Sequence, residues 1–412
     1  MKEEKILKFF IAIGLVAILI SLYIQYGKPF FAELDKQKRD KTRTQNISLI
    51  NSALEKIQEN DSNIFLGEPK TIYVSLPTNN NDCDDLNFHS LPEGWKYSCK
   101  RKETFQKLDG NGWIPIDFTK ISDNADLGSF LPIDPINTPN NEYYYIYIVD
   151  DNDFALIAPM ESNRYLKLSV KKDNGINQNK YEIGSPELLK RTLLIDGLRA
   201  RWDWNFGTQE YPDKTFPENN CNTLVDNIVG DALNFQVADN YATVKDDPII
   251  QNIFNGGGSI SVWVYPKSSG GNSVGRIIKK FNEKAGWILY TYKDTAETVK
   301  LGFLQRFSNN SDWKTADGIP INSWSHIVVT YDDGDLRNNP IIYVNGKMVN
   351  VENIVISSGE SASDAGIDLY IGNNPNRLYV FDGYIGEIRL YDRKLTETES
   401  DILYQSVFLK ND

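Results

Sequence analysis

Only two histidines, His89 and His326, and three cysteines occur in 412 residues. So little histidine removes most His-based metal sites and His-centred triads from consideration. His326 lies inside a strand-like run, where a packed side chain is expected. Three cysteines are too few for a zinc ribbon. Basic charge is short as well: Lys+Arg is 44 against Asp+Glu 56, a net charge of −12, which does not attract nucleic acid. The glycine runs Gly256-Gly257-Gly258 and Gly270-Gly271 lack a following Lys-Ser/Thr, so neither is a phosphate loop. Both read as loops around a strand. No Ser or Cys stands with a paired His in a nucleophile motif.

At this length two or three domains are expected. Near the start, Phe9 to Tyr26 is 18 residues broken only by Ser21 and Gln25, and 21 residues counted from Ile6. That is long enough to span a bilayer as a helix. A secretory signal peptide is the rival, but Tyr23, Gln25 and Tyr26 make a poor cleavage site. The expectation is an uncleaved, single-pass membrane anchor with the later domains extracytoplasmic, at the cell surface. The lysine count opposes that orientation. Lys2, Lys5 and Lys8 precede the span, while Lys28, Lys36, Lys38, Arg39, Lys41 and Arg43 follow it. The positive-inside rule would leave the larger part inside, although large downstream domains translocate despite charge.

Residues 28–60 read as a helical stalk. Ile47, Ile50, Leu54 and Ile57 recur at spacings of 3, 4 and 3, one face of a helix. From Glu33 to Asn46 nearly every residue is polar, which suggests a solvated stretch. Pro29 is expected to kink or interrupt the helix. Between residues 61 and 170 short strands are expected. Residues 71–76 alternate with period 2, and residues 142–149 and 154–158 flank the turn Asp150-Asp151-Asn152-Asp153 as in a hairpin. Cys83 and Cys99 flank a loop with little core of its own, where a disulfide is useful. Cys221 is then the odd thiol. Residues 171–195 are polar and read as a linker.

The C-terminal half is most legible around Trp324-Ser325-His326-Ile327-Val328-Val329-Thr330-Tyr331-Asp332. Ile327, Val329 and Tyr331 fall on one face of a strand, and His326, Val328 and Thr330 on the other. After a polar loop comes Ile341-Ile342-Tyr343-Val344-Asn345-Gly346-Lys347, where Asn-Gly signals a type I′ hairpin turn. Thr396 with Glu399 forms a capping box that opens a short helix through Leu403-Tyr404.

These residues resemble the laminin-G-like, concanavalin A-type jelly rolls. The same resemblance runs through Asp231-Ala232-Leu233-Asn234-Phe235, Ser259-Ile260-Ser261-Val262-Trp263-Val264-Tyr265-Pro266, Leu369-Tyr370-Ile371-Gly372-Asn373 and Phe381-Asp382-Gly383-Tyr384-Ile385-Gly386-Glu387-Ile388-Arg389-Leu390-Tyr391. It covers residues 196–405, leaving 406–412 as a tail. An N-terminal apolar helix running into an amphipathic one and then a small β domain is similar to type IV pilins and pseudopilins. The segments 36–57, 112–118, 131–135 and 143–145 carry that likeness. The chain departs from pilins in having no Gly before the apolar run and no acidic residue inside its start. The implied fold class is mainly β: an N-terminal helix (1–27), a stalk, a pilin-like α+β domain (61–170), then an antiparallel jelly-roll sandwich.

Jelly rolls of this kind host both lectins and glycosidases, so the site has to be argued separately. Glycosidases need two carboxylates flanking the bond. On residues 385–390 Glu387 shares a face with Arg389 and no second carboxylate follows, so no enzyme activity is expected. The resemblance implies a structural calcium held by loop oxygens. Asp203, Asp239, Asp332, Asp333 and Asp335 are the candidate ligands, although the residue before Glu387 is Gly386. Long polar loops at 203–222, 308–317, 332–340 and 373–382 suggest a binding rim. Trp313, Tyr379 and Phe381 are the candidate sugar-stacking residues. The reading is a membrane-anchored adhesion protein that binds a glycan or an extracellular protein ligand. The rival is a minor pilin or pseudopilin, whose partners would be other filament subunits.

Overall fold

The structure, a computed structural model, describes Gln25 and residues 27–406 apart from 62–63, 81, 87, 89–90, 92–93, 121–126, 171–172, 174, 176, 178, 205–217, 220–222, 227–228, 236–239, 357 and 374–377. The chain divides into two compact units, residues 1–88 with 95–191, and residues 192–412 with 89–94. Among the described residues no helix is long and apolar enough to cross a membrane. This overturns the expected single-pass anchor; the apolar run 9–26 on which it rested lies outside the described residues, Gln25 aside.

The first unit is a long helix, Lys28–Asn60, laid on a five-stranded sheet. Pro29 stands at the start of this helix, and the segment before it, from which a continuous helix is expected, lies outside the described residues apart from Gln25 and Gly27. Pro29 sits in the first turn, where its missing N–H has no intrahelical acceptor to lose. Ile47, Ile50 and Leu54 are fully buried and Ile57 nearly so, which is the face the 3-4-3 spacing predicts. Each such side chain contributes roughly 1.5–3 kcal/mol by leaving water. The sheet contains β1 (Thr71–Thr78), β2 (Lys96–Arg101), β3 (Ile146–Asp150), β4 (Asp153–Pro159) and β5 (Lys180–Gly184) in the order β2-β1-β3-β4-β5. Only the β1–β2 pair is parallel. A disulfide joins Cys83 in the β1–β2 crossover to Cys99 on β2. The expected β3–β4 hairpin is present, with Asp150 paired to Asp153.

The polar half of the long helix is not a solvated stalk throughout. Asp40 and Arg43 are completely buried. Arg43 donates from Nε to Asp134 Oδ2 at 2.6 Å, and from its Nη1 to Asp40 at 2.8 Å and Glu161 at 2.5 Å. Asp40 in turn accepts from the backbone N–H of Ser162 at 2.8 Å. The partners lie about a hundred residues away in sequence, so periodicity could not reveal them. The stretch 171–195, expected as a linker, carries β5 and a helix, Pro186–Ile195.

The second unit packs two antiparallel sheets. Its strands are β6 (Leu198–Trp202), β7 (Glu218–Asn219), β8 (Thr223–Asp226), β9 (Gly230–Asn234), β10 (Ala242–Val244), β11 (Gly258–Pro266), β12 (Val274–Phe281), β13 (Gly286–Lys293), β14 (Thr298–Arg306), β15 (Asn310–Thr315) and β16 (Ile319–Pro320). They continue with β17 (Ser325–Tyr331), β18 (Ile341–Val344), β19 (Lys347–Val349), β20 (Val351–Val355), β21 (Leu369–Ile371) and β22 (Gly383–Tyr391). One sheet runs β20-β15-β14-β13-β12-β21-β10-β7 with β16 on β14. The other runs β19-β18-β17-β11-β22-β9-β8 with β6 on β22. Their inner faces form one apolar core that includes Trp202, Trp204, Trp287 and Trp313.

Ile327, Val329 and Tyr331 of β17 enter this core, as their alternation predicts. The opposite face of β17 is buried too. Val328 joins Tyr343, Tyr391, Leu395 and Leu403, the last from the helix Glu397–Gln405. That helix opens with the expected capping box between Thr396 and Glu399. Between β18 and β19, Asn345 (φ 50°) and Gly346 (φ 77°) both adopt positive φ, as a type I′ turn requires.

Candidate functional site

Three segments meet at one end of the sandwich: residues 252–255 before β11, residues 332–336 after β17, and residues 359–363 after β20. Together with Phe307 at the end of β14 they line a cleft of about 540 Å³. Its walls are amides, hydroxyls and carboxylates, with Phe307 buried beneath. Local hydrogen bonds shape each segment. Asp332 Oδ1 accepts from the Gly334 N–H at 3.0 Å, an Asx turn that reverses the chain. Asp333 N–H donates to the Phe254 carbonyl at 3.0 Å and ties two of the segments together. Ser361 Oγ donates to Asp333 Oδ2 at 2.7 Å and brings in the third. Gln305 Nε2 reaches the same oxygen at 3.3 Å from β14. Behind the cleft, Asn252 and Asp364 exchange hydrogen bonds of 2.8 and 3.0 Å.

The acids in this region differ in character. Burial pushes the Asp333 carboxyl up, and the neighbouring Asp332 charge adds to it, against the Ser361 hydrogen bond. Burial raises Asp364 also, opposed by the Asn252 N–H and by Lys280. Asp335 is exposed and is held down at about 2 by its hydrogen bonds from Arg337. The cleft therefore combines a charged rim with a half-desolvated carboxyl among neutral donors and acceptors. Such a surface can exchange hydrogen bonds with a hydroxyl-rich ligand.

The structure distributes the sequence-predicted site residues widely. Trp313 is not on a loop. It stands on β15, which occupies most of the expected loop 308–317, and its ring is buried against Phe303 and Tyr331. Ser311, Trp313 and Thr315 face inward while Asn310, Asp312 and Lys314 face outward. The outward set is so polar that the strand reads as a loop in sequence. Phe381 is also a core residue, with no exposed surface. Neither ring can stack on a sugar. Tyr379 is half-buried and remains at the surface, with the Arg276 guanidinium 4.3 Å from its ring centre.

The four described members of the proposed calcium set do not come together as one group. Asp239 lies outside the described residues. Asp203 is in an ion pair with Arg201 at 3.5 Å. Asp332, Asp333 and Asp335 adjoin in sequence but turn to separate partners: the Gly334 N–H, Ser361 and Arg337. Among the described residues no group of three or more His, Cys, Asp or Glu side chains is placed to hold a metal ion. The hydrogen-bond partners present therefore do not fit a shared cation. Sequence reading missed residues 252–255 and 359–363 because loop proximity leaves no local pattern.

Two further polar groups of the C-terminal unit, His326 and Glu387, are sealed. His326 is buried, and its Nε2 lies 2.8 Å from Ser261 Oγ. Its ring packs 5.0 Å from that of Trp263, and burial pushes its pKa down to about 3. This Ser–His pair has no access to a substrate. Burial alone would raise Glu387, but Arg389 and Arg201 hold it well below the usual carboxylate range. Its carboxylate is consumed by that pairing.

Comparison with known proteins matches residues 236–399 to the family model described as Concanavalin A-like lectin/glucanases superfamily. No curated protein matches the chain. Among solved structures it is similar to the binding domain of Paraclostridial Mosquitocidal Protein 1, at 16% identity and TM-score 0.41 over 52% of each chain. It is also similar to the receptor binding domain of botulinum neurotoxin C/D mosaic serotype, at 13% identity and TM-score 0.39 over 51% of each chain. A third is the botulinum neurotoxin serotype G binding domain, at 16% identity and TM-score 0.38 over 51% of each chain. The chain thus spans about half the length of the solved structures it matches. The family-model match supports a concanavalin A-like jelly roll in the C-terminal half; a pilin-like N-terminal half is not shown.

Proposed function

We propose that the C-terminal unit is a non-catalytic binding module that takes a neutral, hydroxyl-rich saccharide in the cleft between residues 252–255, 332–336 and 359–363. The carrying observation is the cleft's lining. Asn252, Asn255, Ser361 and Ser363 offer amide and hydroxyl groups beside the half-desolvated Asp333. Glycan hydroxyls both donate and accept, and such a mixed set meets them in either sense. The non-catalytic part of the reading rests on Glu387, whose carboxylate is buried between two arginines. The family description names lectins and glucanases together, so hydrolysis is the discriminating measurement.

The test is a glycan array with the full chain, followed by titration calorimetry on the best neutral oligosaccharide. Asn255→Ala and Ser361→Ala should each weaken binding about tenfold, with melting temperatures within a few degrees of the parent. Unchanged binding by both variants sinks the cleft assignment. Release of reducing sugar by the parent chain, absent in Asp333→Asn, replaces the binding module with a hydrolase.

One observation favours a second reading for the N-terminal unit. A helix of 33 residues laid on a five-stranded sheet is the layout of a pilin-like subunit. Under that reading the jelly roll decorates a filament. Co-purification of the chain with a filament from its host would favour it, and a strictly monomeric protein there would oppose it.

A further inference from the structure

The outer face of the β12 sheet carries a second polar feature, separate from the cleft. A β-bulge interrupts the β12–β13 ladder between Arg276 and Ile278. The extra residue sends both Ile277 and Ile278 into the core, where each is fully buried. Arg276 and Lys279, three positions apart, then share the outer face, which simple alternation would forbid. Aromatic rings frame them. The Arg276 guanidinium lies 4.3 Å from the Tyr379 ring centre. The Lys279 ammonium lies 5.8 Å from Phe281 and 5.9 Å from Tyr370, which pairs with it across the β12–β21 ladder. Tyr379 is held in place by its backbone carbonyl, which accepts from Arg276 N–H at 3.0 Å.

Among the described residues no carboxylate compensates these two cations. Burial lowers Arg276, and burial together with Arg276 itself lowers Lys279, to about 8. The contrast with the next residue is informative. Lys280 points the other way, is fully buried, and pairs with Asp246 at 2.6 Å and Asp364 at 3.7 Å. Across from Arg276 stands Tyr290, whose hydroxyl donates to Asp312 at 2.5 Å and so engages that carboxylate. A chain with 56 acidic residues is not short of counter-charges. Two half-desolvated cations left together without one are costly by themselves and favour an incoming anion.

We infer that the face formed by Arg276, Lys279, Tyr370, Tyr379 and Phe281 is a binding site for an anionic saccharide. The guanidinium fork and the ammonium receive its sulfate or carboxylate, and the rings offer apolar walls to its C–H surface. A long nucleic acid is the disfavoured alternative. Among the described residues the site holds two positive charges, and the chain's net charge of −12 repels an extended polyanion.

The probes are dextran-sulfate oligomers, unsulfated dextran of equal length, and oligogalacturonate, each titrated against the full chain. The parent should bind a charged oligomer at least tenfold more tightly than neutral dextran, and the preference should shrink as salt rises. Preference for dextran sulfate alone identifies a sulfate site, and for oligogalacturonate alone a carboxylate site. Arg276→Gln/Lys279→Gln should erase the preference while the melting temperature stays close to that of the parent. Lys279→Arg should retain it, which separates loss of charge from loss of fold. Asn255→Ala, in the loop cleft, should leave the affinity for the preferred charged oligomer unchanged, so this site and the cleft stand or fall separately. Equal binding of charged and neutral oligomers overturns the inference, as does a double variant that binds like the parent. Tighter binding of single-stranded DNA than of either charged oligomer overturns the choice of ligand.

Discussion

The two units hold their layers together by different means. In the N-terminal unit the long helix meets its sheet through an apolar half, Ile47 to Ile57, and a charged half, in which Arg43 is enclosed by Asp40, Asp134 and Glu161. In the C-terminal unit the contact between layers is mainly apolar, with four tryptophans in one core, and the buried Lys280 with Asp246 is an exception to it. A buried ion network needs every member: removing one partner leaves uncompensated charge in a low dielectric. An apolar core loses only the area and contacts of the atoms removed, plus the cavity left behind. The difference also bears on where binding chemistry sits. With the buried polar groups Lys280, Glu387 and His326 of the C-terminal unit paired inside it, binding chemistry is left to the loop end and the outer sheet face.

Two substitutions of similar size should separate the units most clearly. Trp313→Ala removes a fully buried ring from the β-sandwich and should cost about 3–5 kcal/mol. Arg43→Ala takes the cation from Asp40 and Asp134, leaves Glu161 with Arg39 alone, and should cost about 3–5 kcal/mol. Hydrogen exchange read by mass spectrometry assigns each loss. The first should expose peptides of 260–390 and the second those of 36–60 and 130–162. A Trp313→Ala protein with parental exchange would return that ring to the surface. If Arg43→Ala left the 36–60 peptides protected, the network would be decoration.

Acid should act next in size, and on the helix–sheet seam first. Burial alone would raise Glu161, but hydrogen bonds from Arg39 and Arg43 bring it below its ordinary value of 4.5. A depressed carboxylate gives stability that is fully present above the unfolded value and is lost as pH falls through the folded one. Protection of residues 36–50 should therefore be level above about pH 5 and decline below about 4.5. The decline should be shallower in Arg43→Ala, where that pairing is already gone. A seam that loosens as pH rises from 5 to 8 would contradict this assignment.

The smallest effect concerns a turn. Gly346 has φ 77°, and a Cβ there would meet Asp401. Gly346→Ala should cost roughly 1–2 kcal/mol, read as a shift of a few degrees in the melting of the C-terminal unit. No shift would mean that the β18–β19 turn relaxes to another type.

What could be read from sequence follows from the range of each interaction. The Asn345-Gly346 turn, the Thr396–Glu399 capping box and the apolar face from Ile47 to Ile57 are local, and each is legible in a few residues. The Cys83–Cys99 bridge spans only one loop. Arg43 looked like part of a solvated stretch because Asp134 and Glu161 come from distant segments. Trp313 looked like a rim residue because its strand is polar on the other face. The cleft requires three loops to meet, and the Arg276–Lys279 face requires a bulge, so neither leaves a periodic trace.

The strand order has a consequence for how the protein is made. β22 is the last strand of its sheet in the chain, yet it lies in the interior, between β11 and β9 and also paired with β6. β11, its main partner, is made more than a hundred residues earlier. At about 5–20 residues per second, β11 emerges from the ribosome roughly 6 to 25 seconds before the strand that completes it. During that interval an apolar strand stands with one edge open, and the sandwich cannot close. Synthesis of every copy therefore passes through an unfinished sheet, and a ribosome stalled before residue 383 yields a chain without the middle of its own fold.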